Sequence, residues 1–113
     1  MPKASNPITV ILIDDHAVLR AGLASLLGTR PEISVVGEAG DGETGIALAK
    51  RLSPDVAIVD LMMPGVDGVE TTRRIRQECP RTNVLIFTTY GSSNDLSLAL
   101  EAGARGALIK NAE

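Results

Sequence analysis

Ile8-Thr9-Val10-Ile11-Leu12-Ile13-Asp14-Asp15 is an apolar run that stops abruptly on two carboxylates, and Val56-Ala57-Ile58-Val59-Asp60 repeats the pattern with a third. Short runs of this kind, crowded with β-branched side chains and bounded by polar residues, suit strands covered on both faces. If the two runs are parallel neighbours, Asp14, Asp15 and Asp60 open into one crevice at the carboxyl edge of the sheet, where open α/β folds bind their ligands. Such a crevice suits a cation and a phosphoryl group.

Outward from these runs, short apolar segments alternate with longer amphipathic ones. Ile8–Ile13, Ile33–Gly37, Asp55–Asp60, Val84–Thr88 and Gly106–Ile109 read as strands. They recur every ~20 to 30 residues, the repeat of a βαβ unit with its crossover helix. Leu19, Gly22, Leu23, Leu26 and Leu27 mark a first helix that stops between Gly28 and Pro31. A second is expected to start near Asp41 to Glu43, with Asp41 as cap, and to turn Ile46, Ala49 and Leu52 inward. Val69, Thr72, Ile75 and Cys79 predict a third, ended by Pro80, with Arg73, Arg74 and Arg76 on a solvated face. A fourth, Asn94 to Ala102, should turn Leu96, Ala99 and Leu100 to the sheet, with Gly103 at its end. Right-handed crossovers then predict a flavodoxin-like, doubly wound parallel α/β sheet of about five strands in the order 2-1-3-4-5, with its switch point between the strands that bear the aspartates.

The length of 113 residues fits one domain with a real core, and no linker, internal repeat or low-complexity tract divides it. An apolar fraction of 44%, a charged fraction of 22% and a net charge of −3 are those of an ordinary globular domain and give no reason to expect nucleic-acid binding by this segment. Cys79 is the single cysteine, so no internal disulfide forms, and it is read as a structural thiol near a helix end. Met1 to Pro7 carries no signal-peptide pattern and no run reaches a membrane span, so a cytoplasmic location is expected.

At the predicted strand ends the chemistry converges. Two like charges ~4 Å apart repel by roughly 4 kcal/mol at an effective dielectric of 20, enough to recruit a cation. Oxygen ligands select Mg²⁺, Mn²⁺ or Ca²⁺ over zinc, and a few carboxylates with open positions favour Mg²⁺. Thr88 and Lys110 add a hydroxyl and an ammonium at the ends of the fourth and fifth strands. A carboxylate nucleophile, a metal, a hydroxyl and a cation are the parts that transfer a phosphoryl group onto an aspartate. Singly, Asp60 could be a turn former, Asp15 a helix cap and Thr88 a strand-end hydroxyl; jointly, no structural need explains the set. His16 is read as an exposed residue at the start of the first helix and not as a ligand, and Met62 and Met63 as loop packing. No phosphate-cradling glycine loop, dinucleotide fingerprint or nucleophile elbow points to a metabolic enzyme.

The chain resembles the receiver domain of two-component response regulators, in particular those that precede a LuxR-type helix-turn-helix. The resemblance rests on Asp14-Asp15-His16, on Val59-Asp60-Leu61-Met62-Met63-Pro64-Gly65-Val66-Asp67-Gly68, on Phe87-Thr88-Thr89-Tyr90 and on Leu108-Ile109-Lys110. It implies that Asp60 is the phosphoacceptor for a histidine kinase. It also implies that Asp15, Asp60 and the Met62 carbonyl ligate Mg²⁺, with Asp14 acting through a metal-bound water. Lys110 and Thr88 would bind phosphoryl oxygens, and Pro64 and Gly68 would shape the loop through fixed and permissive φ. Such a domain catalyses only its own phosphorylation and slow dephosphorylation; the alternative is a receiver-like interaction module that works without phosphorylation.

Two departures from the family pattern carry expectations of their own. Ala107 stands where receivers usually carry an aromatic three residues before the lysine, so Tyr90 and the helix after Thr88 are expected to serve the switch. Residues 1–113 stop short of a fifth helix that resembling receivers possess. The sequence therefore predicts a receiver domain truncated before or within that helix, its DNA-binding output domain absent, with self-association to cover the exposed apolar face.

Overall fold

The computed structural model describes residues 6–88 and 93–109. Strands β1 (Ile8–Ile13), β2 (Ile33–Ala39), β3 (Val56–Val59), β4 (Asn83–Thr88) and β5 (Gly106–Ile109) alternate with helices α1 (Ala17–Gly28), α2 (Gly42–Leu52), α3 (Gly68–Glu78) and α4 (Ser93–Glu101). Every strand pair is parallel and the sheet order is β2-β1-β3-β4-β5, the flavodoxin-like arrangement that the alternating pattern predicts. Tyr90 and Lys110 lie outside the described residues.

Local chemistry sets the helix ends. Asp41 caps α2 by accepting from the Thr44 backbone N–H at 2.8 Å, which also holds its carboxyl below the usual carboxylate range, and Asp67 caps α3 through Glu70 at 2.9 Å. At the other end of α2, Ser53 takes the left-handed conformation with φ 45°. Cys79 closes α3 as a buried thiol whose pKa burial pushes up, the structural role expected of it.

Strand β2 runs two residues past the expected Gly37, because β1 still offers partners there: Leu12 pairs with Glu38 and Ile13 with Ala39. The register slips between Val10 and Ile11, and Val36 bulges out of the ladder. Gly37 sits just beyond the bulge, where a Cβ would lie 2.9 Å from the Leu48 side chain.

Strand alternation divides the core unequally. Ile11, Ile13, Ala57, Val59, Val84 and Ile86 are fully buried, together with Ile46 and Ala49 of α2, Ile75 of α3 and Ala99 of α4. On the other face α1 lies along β1 and β2 and seals Val10 and Leu12, but no residue of α1 is itself fully buried. Leu23 and Leu27 of α1 instead line an apolar groove of about 160 Å³ with Ile58, Leu85, Phe87 and Leu108, and Leu108 is 66% exposed. Coverage on both faces therefore holds for β1 and only half holds for β4 and β5. Two inward assignments also fail. Leu52 and Leu100 are exposed in the last turns of α2 and α4, where the helix runs past the edge of what it packs on, and Leu26 of α1, at helical spacing, is exposed as well.

The arginines of α3 do more than face water. Arg74 pairs with Glu43 of α2 at 3.0 Å, and Arg76 donates to the carbonyls of Pro80 and Thr82 at 2.8 and 2.7 Å. Only Arg73, paired with Glu70 one turn away, keeps to the expected solvated face. Thr72 and Thr82 satisfy their buried hydroxyls on the carbonyls of Gly68 and Pro54, each at 2.7 Å. The Thr71 hydroxyl is as deeply buried and finds no partner among the described residues. Desolvating a hydroxyl without a hydrogen bond is unfavourable, so Thr71→Val is expected to raise unfolding stability by about 1 kcal/mol, read from a shift of the urea midpoint at constant slope.

Candidate functional site

Ile13 pairs with Val59, and the Asp60 N–H continues the ladder by donating to the Ile13 carbonyl at 2.9 Å. The next residue along β1 is Asp14, whose own N–H bonds the Ala39 carbonyl of β2 at 3.0 Å. Asp14 and Asp60 thereby end adjacent strands at one level, 7% and 2% exposed, while Asp15 is more open on the turn into α1. One carboxylate oxygen from each of Asp14, Asp15 and Asp60, and a ring nitrogen of His16, all lie within 4.8 Å of one another. The crevice expected from the strand ends is present, with the acids together.

His16 departs from its reading as a merely exposed helix-start residue. It is the N-cap position of α1, yet it makes no side-chain cap, and its backbone N–H and Nδ1 both reach Asp14 Oδ1, at 2.8 and 3.1 Å. Nδ1 also stands 3.4 Å from Asp15 Oδ1 and 3.6 Å from Asp60 Oδ2, although the side chain as a whole is 57% exposed. The hydrogen bond to Asp14, then the charges of Asp15 and Asp14, hold the imidazole pKa above its ordinary value. Helix-start position and polarity were visible in sequence. That Nδ1 would turn back over the acids depends on the φ/ψ of the turn, and no pattern of residue types carries that.

Arg20, one turn into α1, is the second residue that sequence reasoning passed over. Its guanidinium donates to the backbone carbonyl of Asp14 and pairs with Glu38 at the end of β2 at 3.1 Å. It ties the junction of β1 and α1 to the neighbouring strand, fixing the turn that carries Asp14 and Asp15. A lone cation on the first turns of a helix that follows two acids was the available signal.

The loop between β3 and α3 folds back on Asp60. Leu61 and Met63 are buried, while Met62 is exposed, so only Met63 of the two methionines packs in the core. Gly65 takes a positive φ of 76°, the conformation anticipated at Gly68. Gly68 is needed for a different reason: a Cβ there would lie 2.5 Å from the Asp60 carbonyl oxygen and 2.6 Å from Leu61 Cα, while its N–H bonds the Leu61 carbonyl at 3.0 Å. Thr88 ends β4, fully buried and opposite Ile109, the residue before Lys110. Ala107 pairs with Ile86 within β5 and is exposed.

Residues 10–113 match the family model of the response regulator receiver domain. The chain belongs to that family. It is 43% identical over 108 residues to the nitrate/nitrite response regulator protein NarL of Escherichia coli, covering 96% of this chain and 50% of that protein. The signal receiver domain of the response regulator NarL from Mycobacterium tuberculosis superposes with a TM-score of 0.90 at 34% identity, covering 96% of this chain and 88% of that one. A LuxR-family two-component response regulator from Aurantimonas gives a TM-score of 0.88 at 38% identity, over 94% and 76% of the two chains. The chain spans about half the length of the curated relatives it matches. None of its described helices is long and apolar enough to cross a membrane.

Because the backbone of Asp60 and Leu61 blocks any side chain at position 68, Gly68→Ala is expected to cost about 2 kcal/mol or more of stability. Chemical denaturation of the variant against the parent chain measures it, and an unchanged midpoint would show the loop free to move aside.

Proposed function

We propose that this receiver domain takes a phosphoryl group onto Asp60 and changes the surface around that residue. The observation that carries the proposal is the buried Asp60 carboxylate at the end of β3, within 4.8 Å of donor atoms from Asp14, Asp15 and His16. The donor set is mainly carboxylate oxygen, which fits Mg²⁺. Asp15, Asp60 and the Met62 carbonyl would hold it directly and Asp14 through a bound water. A divalent ion there would neutralise the clustered acids and the charge of the incoming phosphoryl oxygens.

The work of this chain's own residues is then positional. An Asp60 carboxylate oxygen attacks the phosphorus of a phosphohistidine on a histidine kinase; the P–O bond forms, the P–N bond breaks, and the departing imidazole takes up a proton. Burial of Asp60 holds the nucleophile in one orientation and keeps bulk water away, and the Arg20 clamp on the Asp14 carbonyl holds the facing turn. The Thr88 hydroxyl at the end of β4 and the ammonium of Lys110, next in sequence after β5, serve phosphoryl oxygens. Phosphorylation adds about two negative charges to a site already acidic, and the new contacts to Thr88 and Lys110 bias the loop and helix that follow β4. Met62 and Tyr90, two residues beyond Asp60 and Thr88, offer no carboxylate or amide to orient an attacking water, so the acyl phosphate decays slowly. A phosphorylation-independent interaction module is not favoured.

Incubation with acetyl phosphate and Mg²⁺, followed by intact mass and peptide mapping, tests the assignment. The expected result is a single phosphoryl group on Asp60, lost on chelation of the metal and lost in Asp60→Asn, with Thr88→Ala still labelled but blunted in its conformational response. Labelling that survives Asp60→Asn moves the acceptor elsewhere.

A further inference from the structure

The carboxylates alone make a site for hard oxygen-loving ions, and the imidazole above them changes that. We infer that His16 is a nitrogen donor of this metal site and widens its range to borderline ions of the zinc class, an inference that rests on the proposed metal centre at Asp60. The spacing of the donor atoms supports it. Metal–ligand bonds of roughly 2.0 to 2.2 Å place neighbouring donors roughly 3.0 Å apart around an octahedral ion and roughly 3.4 Å apart around a tetrahedral one. Nδ1 of His16 lies 3.1, 3.4 and 3.6 Å from carboxylate oxygens of Asp14, Asp15 and Asp60, and the four donor atoms lie within 4.8 Å of one another, close enough for small side-chain shifts to bring Nδ1 onto a shared ion.

The direction of the ring fits as well. Nδ1 faces the acids while most of the side chain remains exposed, so an ion can enter beside the ring without opening the core. As a ligand, Nδ1 presents its lone pair to the ion. Adding one imidazole nitrogen to the oxygen ligands of Asp15, Asp60 and Met62 suits Zn²⁺, which favours mixed nitrogen and oxygen ligands, better than an oxygen-only set does. The oxygen-only donor set expected from the sequence omitted this nitrogen, and the preference for hard ions drawn from that set omits it too.

The chain has one histidine, so its ring nitrogens can be followed by ¹⁵N NMR without ambiguity. Zn²⁺ and Mg²⁺ chlorides are titrated into the 113-residue chain and into His16→Ala, with affinities from calorimetry and the ring signals recorded alongside. The expected result is that Zn²⁺ moves Nδ1 to the resonance of a metal-bound nitrogen, and that His16→Ala weakens Zn²⁺ by roughly tenfold or more while Mg²⁺ changes less than about twofold. An Nδ1 signal unmoved by saturating Zn²⁺, or equal loss of both ions in the variant, overturns the inference while leaving the Mg²⁺ centre intact. Failure of the parent chain to bind either ion overturns both, and circular dichroism of His16→Ala separates a lost ligand from a lost fold.

Discussion

One short stretch of ladder governs the molecule: β1 against β3, closed by the Asp60 N–H on the Ile13 carbonyl at 2.9 Å. Side chains alternate along a strand, so a slip of one residue would send Ile11, Ile13, Ala57 and Val59 out of the core and reverse the direction of each acid. The apolar residues that fill the core therefore fix the register, and the register in turn brings like charges together. The unfavourable part of the arrangement, carboxylates gathered at partly dry strand ends, is supported by a core that would have to be dismantled to relieve it.

Around that pairing the supporting contacts fall into two shells. Arg20 and Glu38 tie the turn after β1 to β2, and Asp67 with Gly68 ties the loop after β3 to α3. Both clamps act on backbone, fixing the strand ends from which the acidic side chains project. The ion pairs between Arg74 and Glu43 and between Lys50 and Glu78 join α2 to α3 at exposed positions, where such pairs contribute little on their own, and apolar packing on Ile46, Ala49 and Ile75 carries the layer.

The strands and their order were legible because apolar runs with β-branched side chains bounded by acids leave few parallel topologies. The acids were legible for the same reason: a charge at the end of such a run has one edge to go to. What sequence did not show depends on backbone direction. Gly65 and Gly68 look alike as letters, but one supplies a left-handed turn and the other an absence of bulk. His16 and Arg20 looked like ordinary residues of a helix start, since nothing in residue type tells where a turn aims an imidazole or a guanidinium. Leu26, Leu52 and Leu100 fit helical spacing, but periodicity marks a face and cannot say how far the opposing layer extends beneath it.

The bulge at Val36 has a wider effect than its size suggests. An outermost strand with a regular row of free amides and carbonyls invites a foreign chain to add on and start an aggregate. In β2 that row is broken midway. That border is a poor template for intermolecular pairing, so the sheet is protected along its β2 rim from the polymerisation to which its apolar strands would otherwise be prone.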